Sequence, residues 1–152
     1  RYGRRQRQMC IRDRYKSNLA TVKIKNAIKE SESVISLFDV KTPNTNTLAT
    51  ALSGGNQQKF VVGRELEDDP SLLIASQPTR GIDIGAQSLI WEKLRESRDN
   101  GLAVLLISAD LEELIGLSDR IIVFYQGSMV KELNSANLSP EDLGGYMTGL
   151  KK

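Results

Sequence analysis

Residues 52–59 read Leu-Ser-Gly-Gly-Asn-Gln-Gln-Lys, and this stretch says more about the fold than any other part of the chain. Two adjacent glycines let the backbone approach a ligand closely. Good helix formers follow from Asn56 to Leu66, which predicts a helix. The free amides and positive dipole end of a helix's first turn attract anions, and Ser53 adds a hydroxyl donor. The stretch predicts a phosphate-binding helix terminus; the plainer alternative is a serine N-cap after a glycine turn.

The rest of the chain alternates helical and strand patterns. Apolar residues recur at mostly helical spacing from 17 to 38, whereas 71–75 and 103–107 are short apolar runs typical of buried parallel strands. One or two helices are predicted over 17–38, and further helices at 56–66, 85–98, 111–117 and from 140 onward after a Ser139 N-cap. Predicted strands lie at 71–75, 103–107, 119–125 and 128–133. This alternation predicts an α/β fold built on a parallel sheet.

Three motifs in this order resemble those of ABC-type ATPases. Residues 52–58 resemble the signature motif, in the extended form seen in bacterial importers of simple sugars and nucleosides. Residues 72–83 resemble the Walker B strand and D-loop, and 103–109 resemble the strand that ends in the switch residue. The resemblance runs from about Tyr15 to the C-terminus. It implies a partial P-loop NTPase domain.

The resemblance also implies how this partial domain is divided. A helical subdomain would occupy about residues 15–66, and the C-terminal half of a mainly parallel sheet would occupy about 67–152. Residues 1–14 hold six arginines and one aspartate and look like translated adaptor sequence, so we expect them to be non-native. No apolar segment or interleaved aromatic residues accompany this arm, which argues against a signal peptide or a nucleic-acid partner.

In this family the signature motif closes over the γ-phosphate of ATP held by a partner domain, not over the nucleotide of its own domain. The residues that the resemblance implicates in nucleotide binding are Ser53, Gly54, Gly55, Asn56, Gln57 and, in the D-loop, Asp83. The implied cofactors are ATP and Mg²⁺ in the assembled protein. No metal ligand is assigned within this chain.

The catalytic positions depart from the family pattern. Ser76 stands where a magnesium-associated Asp is usual, Gln77 where a catalytic Glu is usual, and Ala109 where the switch His is usual. An amide cannot take a proton from water, so we expect an inert composite site with no catalytic residue. Asp110, Glu112 and Glu113 would be the bases of an alternative active site, but acidic residues at a helix start more often form a solvated first turn.

The sequence contains no Gly-rich loop ending in Lys-Ser or Lys-Thr, the pattern of a phosphate loop. The family places this loop upstream, so the chain is expected to begin inside the domain and not to hydrolyse ATP alone. Without the preceding strands its sheet would have an exposed hydrophobic edge, which favours aggregation. We therefore expect the isolated chain to have low stability.

Residues 77–86, 138–143 and 146–149 most resemble nucleoside-uptake ATPases, with simple-sugar importers as the near alternative. This implies three partners: another nucleotide-binding domain in the first half of the same full-length chain, transmembrane permease subunits and, indirectly, a solute-binding lipoprotein. It also implies a peripheral location on the cytoplasmic face of the cell membrane. ABC proteins of translation or DNA repair are a further alternative, although the glutamate at the Walker B end and the coiled-coil insert typical of those proteins are missing here.

Composition agrees with these expectations. The chain is 39% hydrophobic and 26% charged, and no apolar run approaches the roughly 18 residues of a membrane span. The single cysteine, Cys10, excludes an internal disulfide, and the absence of histidine removes the commonest general base.

Overall fold

A computed structural model describes residues 24–67 and 69–151. The chain divides into two compact units on either side of residue 68. The helices are α1 (Ile24–Leu37), α2 (Gly54–Leu66), α3 (Ile84–Asp99), α4 (Leu111–Leu117) and α5 (Pro140–Met147), and the strands are β1 (Leu72–Ser76), β2 (Ala103–Ile107), β3 (Arg120–Tyr125) and β4 (Ser128–Asn134). The expectation for residues 1–14 falls outside the described residues. Within the described ranges, none of the helices is both long and apolar enough to cross a bilayer.

In the first unit, α1 packs against α2 at a glycine. A Cβ at Gly63 would lie 2.6 Å from Cγ1 of Val34 and 2.7 Å from Cδ2 of Phe38, and both of these side chains are buried. Glycine is therefore what lets the two helices approach this closely. Helix α2 begins at Gly54, two residues before its predicted start, and the helix predicted over 17–38 is confirmed from Ile24 to Leu37.

In the second unit, the core lies between the last two strands and the helices α4 and α5. Leu114, Ile121, Val123 and Leu143 form this core and are buried together. The predicted bounds of β2 and α4 match the structure, and Ser139 caps α5 by accepting the N–H of Asp142 at 3.1 Å. The N-cap predicted at Ser139 is therefore confirmed.

The strands of residues 69–151 form two separate sheets. β1 and β2 are parallel, with Leu72 opposite Ala103 and Ser76 opposite Ile107, as predicted. β3 pairs with β4 in an antiparallel hairpin and not with β2, so the described strands do not form the single sheet that the alternation predicts. Both β2 and β3 line a cavity of about 810 Å³ instead.

Burial on both faces was predicted for β1 and β2, and this is wrong. Their side chains alternate: Ile74 is 61% exposed and Leu105 is 52% exposed, whereas Ala75 is buried and Leu106 is half-buried. A continuous apolar run predicts cover on both faces of a sheet. The described residues cover one face only, so the alternate leucines and isoleucines lie open.

Candidate functional site

The first candidate site is the start of helix α2. Ser53 caps the helix from an extended backbone conformation, and its Oγ accepts the N–H of Asn56 at 3.4 Å and the side-chain amide of Asn56 at 3.0 Å. The serine N-cap expected as the plainer alternative is thus present. It coexists with an accessible helix terminus, because Gly54 is exposed and a Cβ there would meet nothing within 4 Å.

The amides of Gly54 and Gly55 precede the first backbone hydrogen bond of the helix, which Gln57 donates to the Ser53 carbonyl at 2.9 Å. First-turn amides have no acceptor within the helix, and the helix dipole places partial positive charge beside them. With the Ser53 hydroxyl, these groups suit a phosphate oxygen.

Two of the three carboxamides of the motif, those of Asn56 and Gln57, hold the local backbone. Asn56 Oδ1 accepts the backbone N–H of Lys41 at 2.8 Å, and Gln57 Nε2 donates to the Leu52 carbonyl at 2.8 Å. These bonds fix the turn that precedes α2 and tie it to the segment that follows α1. The shape of the helix terminus is therefore set before any ligand arrives.

Sequence reasoning did not single out Lys59. Its side chain is buried, and its Nζ donates to the Asp39 carbonyl at 3.3 Å and lies 4.0 Å from the Asp39 carboxylate. Asp39 has a positive φ of 46°, and the hydrogen bond from the Lys41 ammonium lowers the pKa of its carboxyl. A lysine in a helix pattern usually indicates an exposed position, so no local signal could have identified this contact.

The second candidate site is the edge where β1 and β2 end. Gln77 donates its N–H to the Ile107 carbonyl at 2.7 Å, and Ala109 follows β2 two residues after its end. The structure therefore brings Ser76, Gln77 and Ala109 to one edge of the parallel sheet. Gln77 has a φ of 51°, so the chain turns sharply in the left-handed region directly after the strand.

This edge does not fit Mg²⁺, which prefers carboxylate oxygens. Neither Ser76 nor Gln77 carries a carboxylate, and Ala109 has no polar atom in its side chain. Across residues 24–67 and 69–151, no group of three or more His, Cys, Asp or Glu side chains is arranged to hold a metal ion.

The two aspartates near this edge cap helices. Asp83, which the resemblance implicates in nucleotide binding, accepts the N–H of Ala86 at 2.9 Å and begins α3. Asp110 accepts the N–H of Glu113 at 3.1 Å and begins α4. Both carboxylates thus satisfy backbone amides that a helix start leaves without partners.

Glu113 contradicts the expectation of a solvated first turn. Its side chain is only 1% exposed, and its Oε1 accepts the Thr79 hydroxyl at 2.5 Å and the Trp91 indole N–H at 3.2 Å. Its neighbour Glu112 is exposed, as expected. The two donors lie 34 and 22 residues away in sequence, so only the tertiary structure brings them to this carboxylate.

Comparison with known proteins identifies import ATP-binding proteins as relatives. No family model matches the chain. It is 50% identical over 121 residues to the guanosine import ATP-binding protein NupO of Bacillus subtilis, and the aligned region covers 80% of this chain and 24% of that protein. It is 37% identical over 142 residues to the ribose import ATP-binding protein RbsA of Clostridium perfringens strain 13, covering 93% of this chain and 28% of that protein. The chain thus spans about a quarter of the length of these curated relatives.

Solved structures show the same fold. A dimeric ATP-binding cassette bound to ADP and phosphate matches with a TM-score of 0.63 at 22% identity, over 72% of this chain and 47% of that one. An ABC transporter described as of metal-chelate type, in an inward-facing conformation, matches with a TM-score of 0.65 at 16% identity, over 79% and 48%. By sequence and by fold, the chain is therefore part of an ATP-binding domain of the ABC ATPase family.

Proposed function

We propose that this chain is part of the ATP-binding subunit of an ABC importer and that it couples ATP binding and hydrolysis to nucleoside uptake. Its role in the ATP site is to present Ser53 and the amides of Gly54 and Gly55 to the γ-phosphate of ATP held by another nucleotide-binding domain. The observation that supports this role is the start of α2, where Ser53 caps the helix, Gly54 is exposed and a Cβ at Gly54 would meet nothing within 4 Å, although Gly55 is buried.

The chemistry at this terminus is binding and not bond breaking. The Ser53 hydroxyl and two backbone amides donate to phosphate oxygens. Asn56 and Lys59 hold the start of the helix in place through hydrogen bonds with Lys41 and Asp39. Donors that are already oriented lose little freedom when the phosphate arrives. ATP supplies the phosphoryl group, and the residues of this chain orient it.

Two variants of one residue separate phosphate binding from helix capping. Ser53→Asp and Ser53→Asn both keep a good N-cap acceptor, so helix α2 remains capped in each. Only aspartate adds a negative charge facing the phosphate, which costs on the order of several kcal/mol when two charges lie about 4 Å apart near a protein surface. In the complete transporter we expect Ser53→Asp to reduce ATPase activity roughly a hundredfold more than Ser53→Asn.

The opposite result has a clear meaning. If both variants hydrolyse ATP at the same rate, Ser53 serves only as a helix cap and the proposed role is wrong. Hydrogen exchange of residues 54–58 serves as the control, because equal protection in the two variants shows that the helix start is intact in both.

We further propose that the edge at Ser76, Gln77 and Ala109 binds nucleotide without efficient turnover and that this chain does not hydrolyse ATP by itself. The test restores the family residues with Ser76→Asp, Gln77→Glu and Ala109→His in a Ser53→Asp background, where the other site is silenced. We expect ATPase activity to reappear at least tenfold above the background variant. A restored edge that binds ATP and still gives no added turnover would contradict the proposal.

The transported solute is proposed from the relatives alone. The guanosine import protein of B. subtilis and the nucleoside import protein NupA of Lactococcus lactis, 44% identical over 112 residues, favour a nucleoside. The ribose relative favours a simple sugar as the second candidate. Uptake of labelled guanosine and labelled ribose by cells that carry or lack the gene distinguishes the two.

The same proposal includes the partners and the location. We expect the complete protein to hold two nucleotide-binding domains, to bind transmembrane permease subunits on the cytoplasmic face of the cell membrane, and to act indirectly with a solute-binding lipoprotein. Affinity purification from detergent-solubilised membranes should recover a permease. Recovery with ribosomes or DNA, and without a permease, would instead favour a non-transport ABC ATPase.

A further inference from the structure

Glu113 makes contacts that a helix-start carboxylate does not need. Its backbone N–H donates to the Asp110 cap, and its buried carboxylate accepts the Thr79 hydroxyl and the Trp91 indole N–H. Burying a carboxylate is costly unless donors replace the lost water, so each of the two donors matters to the local structure. Three separate segments therefore meet at this one residue.

Two of these segments are the turns that follow β1 and β2, at the edge that carries Ser76, Gln77 and Ala109. Thr79 lies in the turn from Gln77 to Asp83, which follows β1, and it is only 8% exposed. Ala109 and Asp110 form the turn that follows β2 and leads into α4. Glu113 thus connects the turn after β1 to the turn after β2.

The third segment, helix α3, holds this connection in place. Arg95 donates to the Gly116 carbonyl at 3.0 Å, and its guanidinium lies 5.7 Å from the centre of the Trp91 ring. Helices α3 and α4 are therefore joined at two points, one through Glu113 and one through Arg95. These two attachments define the position of α4 relative to α3, and one hydrogen bond joins Glu113 to Thr79.

We propose that Glu113 is a positioning residue that couples the two turns at the β1 and β2 ends, so that a displacement of one turn is transmitted to the other. The role of this coupling in an ATPase cycle rests on the proposed function. The edge at Ser76, Gln77 and Ala109 lacks catalytic side chains, and its contribution to the cycle is to transmit movement between the two turns. The coupling itself is a property of the fold and can be measured separately.

Hydrogen exchange of the complete protein measures this coupling directly. Thr79→Val keeps the shape of the side chain and removes the hydroxyl donor, whereas Thr79→Ser keeps the donor. We expect Thr79→Val to speed amide exchange about tenfold in both 77–83 and 108–113, since the buried carboxylate loses one of two donors. Thr79→Ser should stay within about threefold of the wild type.

Two further variants distinguish coupling of the two turns from local loosening of one segment. Trp91→Phe removes the other donor without touching either turn and should loosen the same two segments. Glu112→Ala removes the exposed neighbouring carboxylate and should change neither. If Thr79→Val and Trp91→Phe loosen only the segment in which each residue lies, the turns are not coupled and the inference is wrong.

ATPase kinetics of the assembled transporter supply the functional measurement. We expect Thr79→Val to lower kcat about tenfold while KM for ATP changes less than about twofold, because the residues proposed to contact phosphate are unchanged. Glu113→Gln keeps an acceptor oxygen and should recover most of the activity that Glu113→Ala loses. Equal loss in the Gln and Ala variants would contradict a role as hydrogen-bond acceptor.

The outcomes separate this inference from the proposed function. If Ser53→Asp abolishes turnover and exchange in the two turns is uncoupled, only the positioning role of Glu113 fails. If Ser53→Asp has no effect and exchange is coupled, the proposed phosphate contact fails and the coupling stands.

Discussion

A single added methyl group at Gly63 tests the packing that holds helix α2. An alanine Cβ would lie 2.6 Å from Val34 Cγ1 and 2.7 Å from Phe38 Cδ2. Carbon atoms in contact lie about 3.5–4.0 Å apart, so something must shift by about an ångström. The two side chains are 2% and 5% exposed and have little space into which to move. Helix α1 or helix α2 must therefore be displaced.

The expected cost follows from two opposing effects. Adding a methyl group to a filled core costs about 1–3 kcal/mol, whereas replacing glycine by alanine inside a helix returns about 1 kcal/mol. The net effect of Gly63→Ala is then a destabilisation of roughly 0–2 kcal/mol, which corresponds to as much as about thirtyfold faster local opening. Amide exchange of residues 58–66 in the complete protein measures this opening.

Gly144 offers a matched control in helix α5. A Cβ there would lie 3.7 Å from Leu111 Cδ1, an ordinary contact, so Gly144→Ala should stabilise α5 by about 1 kcal/mol and slow its exchange. Combining Gly63→Ala with Val34→Ala should reduce the cost of the added methyl group, because the nearest atom is removed. If Gly63→Ala slows exchange in α2 as Gly144→Ala does in α5, the argument from close packing is refuted.

Three further predictions concern single contacts. Asp83→Ala should destabilise the start of α3 by about 1 kcal/mol, seen as faster exchange at Ala86, whereas Asp83→Asn should not, and equal effects would exclude a capping role. The pKa of the Asp142 carboxyl is lowered mainly by the hydrogen bond from Lys151, so its contribution to stability is complete above the ordinary carboxyl pKa and is lost as pH falls through the lowered value. Carboxyl NMR titration should show this midpoint rising in Lys151→Met, and an unchanged midpoint would show that the ion pair is absent in solution. Leu105→Lys should reduce self-association of the isolated chain in sedimentation velocity, because Leu105 is half exposed on an apolar sheet face, and unchanged association would mean that this face does not mediate it.

The sequence alone was enough to predict most of the described helices and strands, and the site remains a prediction. Ser53, Ser139 and the glycine pair are local signals, and a helix start depends on residues within one turn of it. The bounds of β2, which follow from a short apolar run, and those of α4 were also predicted as observed. The parallel register of β1 and β2 then placed Ser76 and Ala109 at one edge, because parallel strands end on the same side of a sheet.

The tertiary structure decided which polar groups are buried and which strands pair. Glu113 and Lys59 have the pattern of exposed charged residues, and their burial depends on partners 20 to 34 residues away. β3 reads as a further parallel strand, yet among the described strands it pairs with its neighbour β4 and not with β2. Propensity and periodicity describe a residue's own turn or strand, whereas pairing and desolvation depend on which distant segment arrives beside it. For this reason the local elements could be predicted from the sequence, whereas strand pairing and the burial of polar groups were determined only by the tertiary structure.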